Sequence, residues 1–172
     1  MTLSEYESLI TRNQNRVYGY ALRLIGDRDQ AKDVVQDAML RMWKHRDRLE
    51  VDGAISWLLR VTHNACIDQL RRRQLETKIF HGDVETDQLG TGEWSPARVT
   101  ESRDMMDNLK QAIDTLGEPH RSIVLLREVE DFSYEEICGA LDLPMSTVKV
   151  YLHRARRRLR KTLEEVMQRE LV

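Results

Sequence analysis

Residues 134–152 read YEEICGALDLPMSTVKVYL, and this stretch decides the fold of the C-terminal part of the chain. Ser133 can cap a first helix, and Glu136, three residues later, completes a capping box. Asp142-Leu143-Pro144 predicts a tight turn, after which Ser146 can cap a second helix. The pattern predicts a helix-turn-helix whose second helix can enter a major groove of DNA. The positions expected to be buried are Ile137 and Leu141 in the first helix and Val148, Leu152, Ala155 and Leu159 in the second.

The exposed face of the second helix is strongly basic. Between Met145 and Lys161 the chain has seven Lys or Arg residues and no acidic residue. This arrangement suits contacts to phosphates, and the first turns of the helix can approach base edges. The alternative is a solvated helix whose basic end complements its dipole, but the helix-turn pattern that precedes it favours DNA. The stripe consists of Lys149, His153, Arg156 and Arg160, flanked by Arg154, Arg157, Arg158 and Lys161.

The composition of the whole chain bounds its class. The 172 residues are one third charged, with a formal net charge of −2, and could form one domain or two small ones. The charge is segregated, since Glu76 to Asp104 holds seven acids against three bases. Cys66 and Cys138 have neither a disulfide-framework nor a zinc-ribbon spacing. No signal peptide or membrane-spanning run is evident, so we expect a cytoplasmic protein with reduced thiols.

Three helices are predicted in the N-terminal half. Gly26 is expected to end the first, and Asp27 or Asp29 to cap the second. A loop over residues 47–53 should precede a third helix from about Ile55 to Arg73. The apolar positions that recur at helical spacing are Leu3, Tyr6, Leu9, Ile10, Val17, Tyr20, Ala21 and Leu24 in the first helix, Ala31, Val34, Val35, Ala38, Met39, Met42 and Trp43 in the second, and Ile55, Leu58, Leu59, Thr62, Ala65, Cys66 and Leu70 in the third.

Residues 76–103 break the helical pattern. Gly, Ser and Pro residues lie there among scattered acids, which predicts a flexible linker. Fully extended, these residues could span roughly 90 Å. Helical periodicity resumes at Met105, pauses at residues 117–119 and continues from Ile123 to Val129. We therefore predict an all-α chain in which two small helical domains are joined by this linker.

The predicted third helix carries a tryptophan on its polar face. An outward Trp57 beside Arg60 and Asn64 fits a wall for single-stranded bases, because stacking on an aromatic ring contributes roughly 1–3 kcal/mol per base. That gain offsets the few kcal/mol needed to extrude a base from a duplex. The alternative is that Trp57 packs against another helix. The whole face comprises Trp57, Arg60, Asn64, Asp68 and Arg71.

The sequence offers little chemistry for catalysis or metal binding. His63 and Cys66 have ligand spacing, but no second pair lies nearby and Cys66 belongs to the expected buried face, so we predict no metal site. The five histidines are scattered, and neither a nucleophile elbow nor a phosphate-binding loop is present. We therefore expect a protein that is not an enzyme, with no catalytic residues and no cofactor.

Four segments together resemble the extracytoplasmic-function (group IV) sigma factors of the sigma-70 family of bacterial RNA polymerase. Residues 29–44 (DQAKDVVQDAMLRMWK) look like the family's core-binding helix, and residues 57–72 (WLLRVTHNACIDQLRR) like its helix for promoter melting and minus-ten recognition. Residues 116–128 (LGEPHRSIVLLRE) resemble the start of sigma region 4, and residues 132–159 resemble its minus-thirty-five reader. The segments follow the family's order and spacing over nearly the whole chain.

The resemblance implies a protein that binds RNA polymerase core and directs promoter-specific transcription initiation. Residues 1–75 would form sigma region 2, residues 76–103 the flexible acidic linker and residues 104–172 sigma region 4. The loop from Asp47 to Ala54 would take up the flipped minus-ten base. The residues that this resemblance assigns are Asp33, Gln36, Asp37, Arg41 and Trp43 for core polymerase, Arg48, Asp52, Trp57, Arg60, Asn64 and Arg71 for the minus-ten element, and Ser146, Thr147, Lys149, Val150, His153, Arg154, Arg156 and Arg157 for the minus-thirty-five element.

The chain departs from the family's pattern in the helix-turn-helix. Asp142 stands where many relatives have Gly in the turn, and Asp tolerates left-handed backbone geometry. Val150 and Tyr151 stand where small polar and basic residues are common. This pair could contact a thymine methyl group or pack inward, so the promoter sequence cannot be inherited from the family.

The resemblance also implies partners. These are the polymerase core, through its beta-prime clamp and beta flap, promoter DNA, and an anti-sigma factor that occludes the binding surfaces. The protein itself would be a monomer in the bacterial cytoplasm, not inserted in a membrane, and associated with the nucleoid when active. The rival hypothesis is a stand-alone helix-turn-helix regulator that pairs two copies on a palindrome, but no clear dimer helix is visible beyond Leu163 and Val166.

Overall fold

The computed structural model describes residues 1–81 and 100–170, and all of the regular structure in these ranges is helical. The all-α class predicted from the sequence is therefore confirmed. The helices are α1 (Leu3–Ile25), α2 (Arg28–His45), a 3-10 turn (Arg46–Arg48), α3 (Val51–His81), α4 (Thr100–Asp114), α5 (His120–Val124), which continues as a π-helical turn (Leu125–Val129), α6 (Tyr134–Leu141) and α7 (Met145–Glu170).

The junction between α1 and α2 forms as the sequence predicts. Gly26 ends α1 with φ of 75°, in the left-handed region that glycine adopts without strain. The Asp27 carboxylate then accepts a hydrogen bond of 2.9 Å from the backbone N–H of Gln30 and caps α2. The two helices thus meet at a corner that these two adjacent residues set.

Helix α3 is longer at both ends than the sequence predicts. Only Leu49 and Glu50 separate it from the preceding 3-10 turn, so the predicted loop at 47–53 is mostly helical. Asp52 lies in the first turn, where an acidic side chain is stabilised by the helix dipole. At the other end, strong helix formers such as Leu75 and Lys78 carry the helix on to His81.

This extension also shortens the predicted linker. Residues 76–81 belong to α3 and residues 100–103 to α4, so the prediction that the whole of 76–103 is non-helical is wrong at both ends. The remaining part of the predicted linker, residues 82–99, lies outside the described residues.

The helix-turn-helix is formed by α6 and α7. Ser133 and Glu136 make the predicted capping box, with hydrogen bonds of 3.1 and 2.7 Å between each side chain and the other's backbone N–H. Asp142 ends α6 with φ of 55°, the left-handed conformation expected of it. One detail of the prediction is wrong. The Pro144 carbonyl accepts from the Val148 N–H at 3.0 Å, so α7 begins before Ser146, which lies in its first turn and does not cap it.

The core is continuous between the N-terminal helices and the C-terminal helices. Its largest fully buried side chains include Tyr20 and Leu58 from the first group and Phe132, Ile137 and Leu152 from the second. Helix α3 packs along α6, and α1 contacts the π-helical turn. The two groups, which the sequence pattern treats as separate units, therefore lie directly against each other in this structure.

Candidate nucleic-acid and polymerase interfaces

The basic face of α7 points away from the core. Val148, Leu152 and Ala155 are buried and fix the rotation of the helix, which turns the intervening positions outward. Of the residues assigned to the minus-thirty-five element, all are exposed except Thr147, which is half-buried. The exposed ones are Ser146, Lys149, Val150, His153, Arg154, Arg156 and Arg157. The structure thus brings these side chains together on one accessible face.

Two of the cations assigned to the minus-thirty-five element, Arg156 and Lys149, have partners among the described residues. The Arg156 guanidinium donates a hydrogen bond of 2.5 Å to the Glu128 carboxylate, and both side chains are about half exposed. The Lys149 ammonium lies 5.5 Å from the centroid of the Tyr134 ring. A phosphate that approached this face would compete with Glu128 for the guanidinium of Arg156, because both groups are anions.

The sequence left open whether Val150 and Tyr151 contact DNA or pack inward. In the structure their side chains point in different directions. The Val150 side chain is 45% exposed in the middle of the basic face. The Tyr151 ring instead packs on the His120 ring, with their centroids 4.7 Å apart. The pKa of His120 is lowered by partial burial and by the nearby charges of Arg158 and Arg154. Val150 is therefore the free apolar group, and Tyr151 supports the fold.

The residues assigned to the minus-ten element lie along α3 and at its start. Arg48, Asp52, Asn64 and Arg71 are exposed. Trp57 is half-buried against the core, and its ring centroid lies 5.9 Å from that of His45. The packing alternative for Trp57 therefore holds in part, since some of the indole is covered by another helix and some remains accessible.

Arg60, on the same face of α3, binds the helix-turn-helix. Its Nε and Nη2 atoms donate hydrogen bonds of 2.9 and 2.6 Å to the carbonyl oxygen of Gly139 in α6, and Nη2 lies 3.7 Å from the Asp142 carboxylate. The helices approach closely here. A Cβ atom added to Gly139 would lie 2.6 Å from the Cβ of Ser56. The sequence pattern gave no signal of this contact, because a backbone carbonyl accepts from any nearby cation.

A second contact between the two groups of helices involves α1. The Arg16 guanidinium donates to the carbonyl oxygens of Glu130 and Asp131 at 2.8 and 2.7 Å, and it stacks on the Phe132 ring with 3.8 Å to the centroid. Arg23 forms an ion pair with the Glu130 carboxylate, which is 9% exposed. Burial raises the pKa of Glu130, and the charges of Arg23 and Arg16 oppose that rise.

The residues assigned to core polymerase lie on α2. Asp33, Gln36, Asp37 and Arg41 are exposed on one face. Asp33, Asp37 and Arg41 border a groove between α2 and α3 whose floor includes Val61 and Ala65. An apolar floor with acidic and basic rims is suited to an amphipathic helix of a partner.

Trp43, the fifth residue assigned to core polymerase, is engaged within the protein. Its ring makes an edge contact with Tyr6, 5.1 Å between centroids, and the Arg46 guanidinium lies 3.9 Å above it. Trp43 is half-buried, so it both stabilises the N-terminal helices and leaves part of its surface accessible.

His63 and Cys66 are both part of the packed interior. The His63 Nδ1 atom is hydrogen-bonded to the Tyr20 hydroxyl at 2.8 Å, and burial lowers the pKa of this imidazole to about 4. Burial raises the pKa of the fully buried Cys66 thiol to about 12. Over residues 1–81 and 100–170, no group of three or more His, Cys, Asp or Glu side chains is placed to hold a metal ion. None of the described helices is both long and apolar enough to cross a membrane.

Comparison with known proteins gives two family matches that follow one another along the chain. Residues 9–76 match Sigma-70 region 2, and residues 106–159 match Sigma-70, region 4. The ECF RNA polymerase sigma factor SigL of Mycobacterium tuberculosis is 35% identical over 153 residues, covering 87% of this chain and 84% of that protein. The corresponding SigE of Mycolicibacterium smegmatis is 28% identical over 92% of this chain, which spans only 61% of that longer protein.

A solved structure shares the fold. The sigma factor RpoE from Bartonella quintana, in a co-crystal with the anti-sigma factor NepR, superposes with a TM-score of 0.76 at 23% identity. The match covers 94% of this chain and 98% of that one.

Proposed function

This chain belongs to the ECF sigma factors of the sigma-70 family, and on that premise we propose that it binds RNA polymerase core and directs it to promoters through two separate DNA-reading surfaces. The observation that supports this most strongly is the order of the two matched regions, with a basic, exposed helix-turn-helix face on the second. The family consists of transcription factors, and we propose no catalytic activity and no cofactor for this member.

The α7 face reads the minus-thirty-five element. Its arginines, Arg154, Arg156 and Arg157, contact phosphates and fix the register of the helix in the major groove. Ser146, Thr147, Lys149 and His153 lie in the first turns, which approach base edges in this class of motif. Val150 is exposed among them and has no polar atom to offer, so it contacts a thymine methyl group, which is the apolar group that the major groove presents.

The start of α3 reads the minus-ten element as a single strand. Arg48 and Asp52 flank the short break before the helix, where a flipped base can enter between them. Trp57, Arg60, Asn64 and Arg71 follow along the next turns and line the path of the strand. The accessible part of the Trp57 ring provides a stacking surface.

The α2 face binds the polymerase clamp. Asp33, Asp37 and Arg41 border the groove, and a helix of the clamp that carries basic residues would be complementary to its two carboxylates. The C-terminal helices then contact the beta flap. When both regions are bound to polymerase, the two DNA-reading surfaces are held in one complex. Binding of the second promoter element then becomes effectively intramolecular.

An anti-sigma factor is the further partner that we propose, as NepR is for the RpoE structure that shares this fold. A partner that covers α2 or α3 would prevent polymerase binding without changing the fold. We place the protein, as a monomer, in the bacterial cytoplasm, and with the nucleoid when it is bound to polymerase.

The experiment that tests this function is transcription in vitro with purified core polymerase, the purified protein and fragmented genomic DNA. We expect new start sites that share two upstream elements and that are absent when the protein is omitted. Failure to bind core polymerase, with any co-purifying inhibitor removed, would contradict the proposal. A symmetric footprint of a dimer on DNA without polymerase would favour the stand-alone regulator instead.

A further inference from the structure

We propose that His45, the last residue of α2, stacks on an unpaired base of the melted minus-ten strand and forms, with Trp57 of α3, one aromatic platform for that strand. The ligand is single-stranded DNA, recognised by the flat face of one base. The inference rests on the proposed function and deepens it, because it extends the minus-ten reader from α3 onto the end of α2.

The two rings of the platform are in contact. The centroids of the His45 and Trp57 rings lie 5.9 Å apart, and their planes are tilted by 38°. Trp57 is half-buried against the core, whereas His45 is exposed. A base that arrives from solvent therefore meets the imidazole next to the accessible part of the indole. Imidazole and indole are both surfaces on which unpaired bases stack.

The imidazole of His45 is held in place before any DNA binds. Its Nδ1 atom lies 2.8 Å from the carbonyl oxygen of Arg41, one turn earlier in the same helix. A carbonyl oxygen only accepts hydrogen bonds, so Nδ1 carries the proton and donates it. This bond fixes the orientation of the ring. Stacking on an oriented ring costs little further side-chain entropy, which favours binding.

The surroundings of His45 are basic. Residues 41–48 carry four Lys or Arg residues and one acid. Lys44 and Arg48, which flank His45 in the sequence, are exposed, and neither forms an ion pair with another described residue. Cations that attract the phosphates, next to a ring that stacks a base, are the combination that binds single strands. The end of α2 therefore has the chemistry of a DNA-binding surface, whereas its earlier turns form the proposed clamp surface.

Two substitutions separate the ring of His45 from its polar atoms. His45→Phe keeps a flat ring and loses the nitrogen atoms, whereas His45→Gln keeps polar atoms and loses the ring. If the base stacks on the imidazole, Phe should behave like the wild type and Gln like Ala. If the imidazole instead forms a hydrogen bond with the DNA, the order should be reversed. Because His45 is exposed, all three variants should fold, which circular dichroism checks.

The test measures the affinity of the holoenzyme for a fluorescent single-stranded oligonucleotide that carries the minus-ten element of a promoter it transcribes. Each nucleotide is replaced in turn by an abasic site. With the wild-type protein, loss of the stacked base should weaken binding roughly fivefold or more. With His45→Ala and His45→Gln this penalty should largely disappear at one position and remain at the others. His45→Phe should retain it, and so should Lys44→Ala, the control at the neighbouring exposed residue.

The outcomes separate this inference from the proposed function. If His45→Ala and the wild type show the same penalty at every position, the inference is wrong and His45 only completes the end of α2. It is equally wrong if His45→Gln retains the penalty and His45→Phe loses it, since the contact is then a hydrogen bond. Both results leave the proposed function intact. If the wild-type holoenzyme binds the minus-ten oligonucleotide no better than a scrambled one, the proposed minus-ten reader itself fails.

Discussion

Arg60 of α3 donates two hydrogen bonds, of 2.9 and 2.6 Å, to the main-chain carbonyl oxygen of Gly139 in α6, 79 residues further along the chain. The donor lies on the face proposed to meet the minus-ten strand, and the acceptor lies in the first helix of the minus-thirty-five reader. One side chain thus connects the two halves of promoter recognition.

Substituting Arg60→Ala should slow promoter opening. The reason is the loss of a cation beside the melted minus-ten strand. We expect the rate of open-complex formation, followed by a fluorescent base at the minus-ten element, to decrease while the Kd for core stays near the wild-type value. Arg72→Ala is the control, since Arg72 is an exposed arginine of α3 that is not assigned to the minus-ten strand. If Arg60→Ala opens promoters as fast as Arg72→Ala does, Arg60 does not contact the strand.

Val150 should distinguish thymine from uracil in the minus-thirty-five element. Burying one methyl group is worth about 0.8 kcal/mol, so replacing the contacted thymine by deoxyuridine should weaken holoenzyme binding roughly fourfold. The Val150→Ala variant should bind both DNAs nearly alike, measured by competition on otherwise identical promoters. Tyr151→Phe, which keeps the packing on His120, should retain the discrimination. Discrimination that survives in Val150→Ala would assign the methyl contact to another residue.

Arg156 and Glu128 should change DNA affinity in opposite directions. Arg156→Ala removes a phosphate contact, so the slope of log K against log salt should become smaller by about one, with core binding unchanged. Glu128→Gln removes the competing anion, which lies 2.5 Å from the guanidinium, and should tighten promoter binding. A salt titration of holoenzyme on one promoter measures both. Equal slopes for Arg156→Ala and wild type would show that Arg156 does not face the DNA.

Asp37→Arg should impair core binding and leave the DNA readers intact. The substitution places a cation at the rim of the α2 groove, where we propose that basic residues of the clamp dock. We expect a loss of at least tenfold in core affinity, since a like charge in an interface costs several kcal/mol. Asp107→Arg makes the same change of charge at an exposed site on α4 and serves as the control. Normal capture of polymerase by Asp37→Arg would remove the groove from the interface.

His63 should make the fold less stable in mild acid. Its pKa is about 4 in the folded protein and 6.5 in the unfolded one, so between these values the unfolded chain binds more protons. The free energy of unfolding should therefore fall as pH decreases from 6.5 to 4, by at most about 1.4 kcal/mol per pH unit from this group. His63→Gln removes the titrating group. As pH decreases from 6.5 to 4, the free energy of unfolding of the Gln variant should therefore fall less than that of the wild type. Parallel curves from chemical denaturation would show that His63 is not the group responsible.

The elements that could be predicted from the sequence are those with local causes. The capping box of Ser133 and Glu136 and the left-handed turn at Asp142 each depend on residues within a few positions of one another, so their spacing is legible along the chain. The ends of α3 are harder to predict from the sequence. Residues 47–53 and 74–81 contain no strong helix breaker except Gly53, so loop and helix differ little in free energy there.

The contacts between the two halves could not be predicted from the sequence. Arg60 was assigned to DNA because of its face on the helix, but its present partner is a backbone carbonyl, which every residue has. Glu128 as the partner of Arg156 is 28 residues away and belongs to a different helical segment. Such pairings depend on how the finished helices pack, and hydrophobic periodicity indicates only which face is buried, not what covers it.

The length of α3 limits how far the two halves can travel apart. Once residues 76–81 and 100–103 are rigid, the covalent connection between His81 and Thr100 can measure at most about 65 Å, which is less than the roughly 85 Å between the centres of the two promoter elements. The helical arms on either side must therefore supply the remaining reach. Promoters with widened spacers should therefore lose activity once the separation of the two elements exceeds this combined reach.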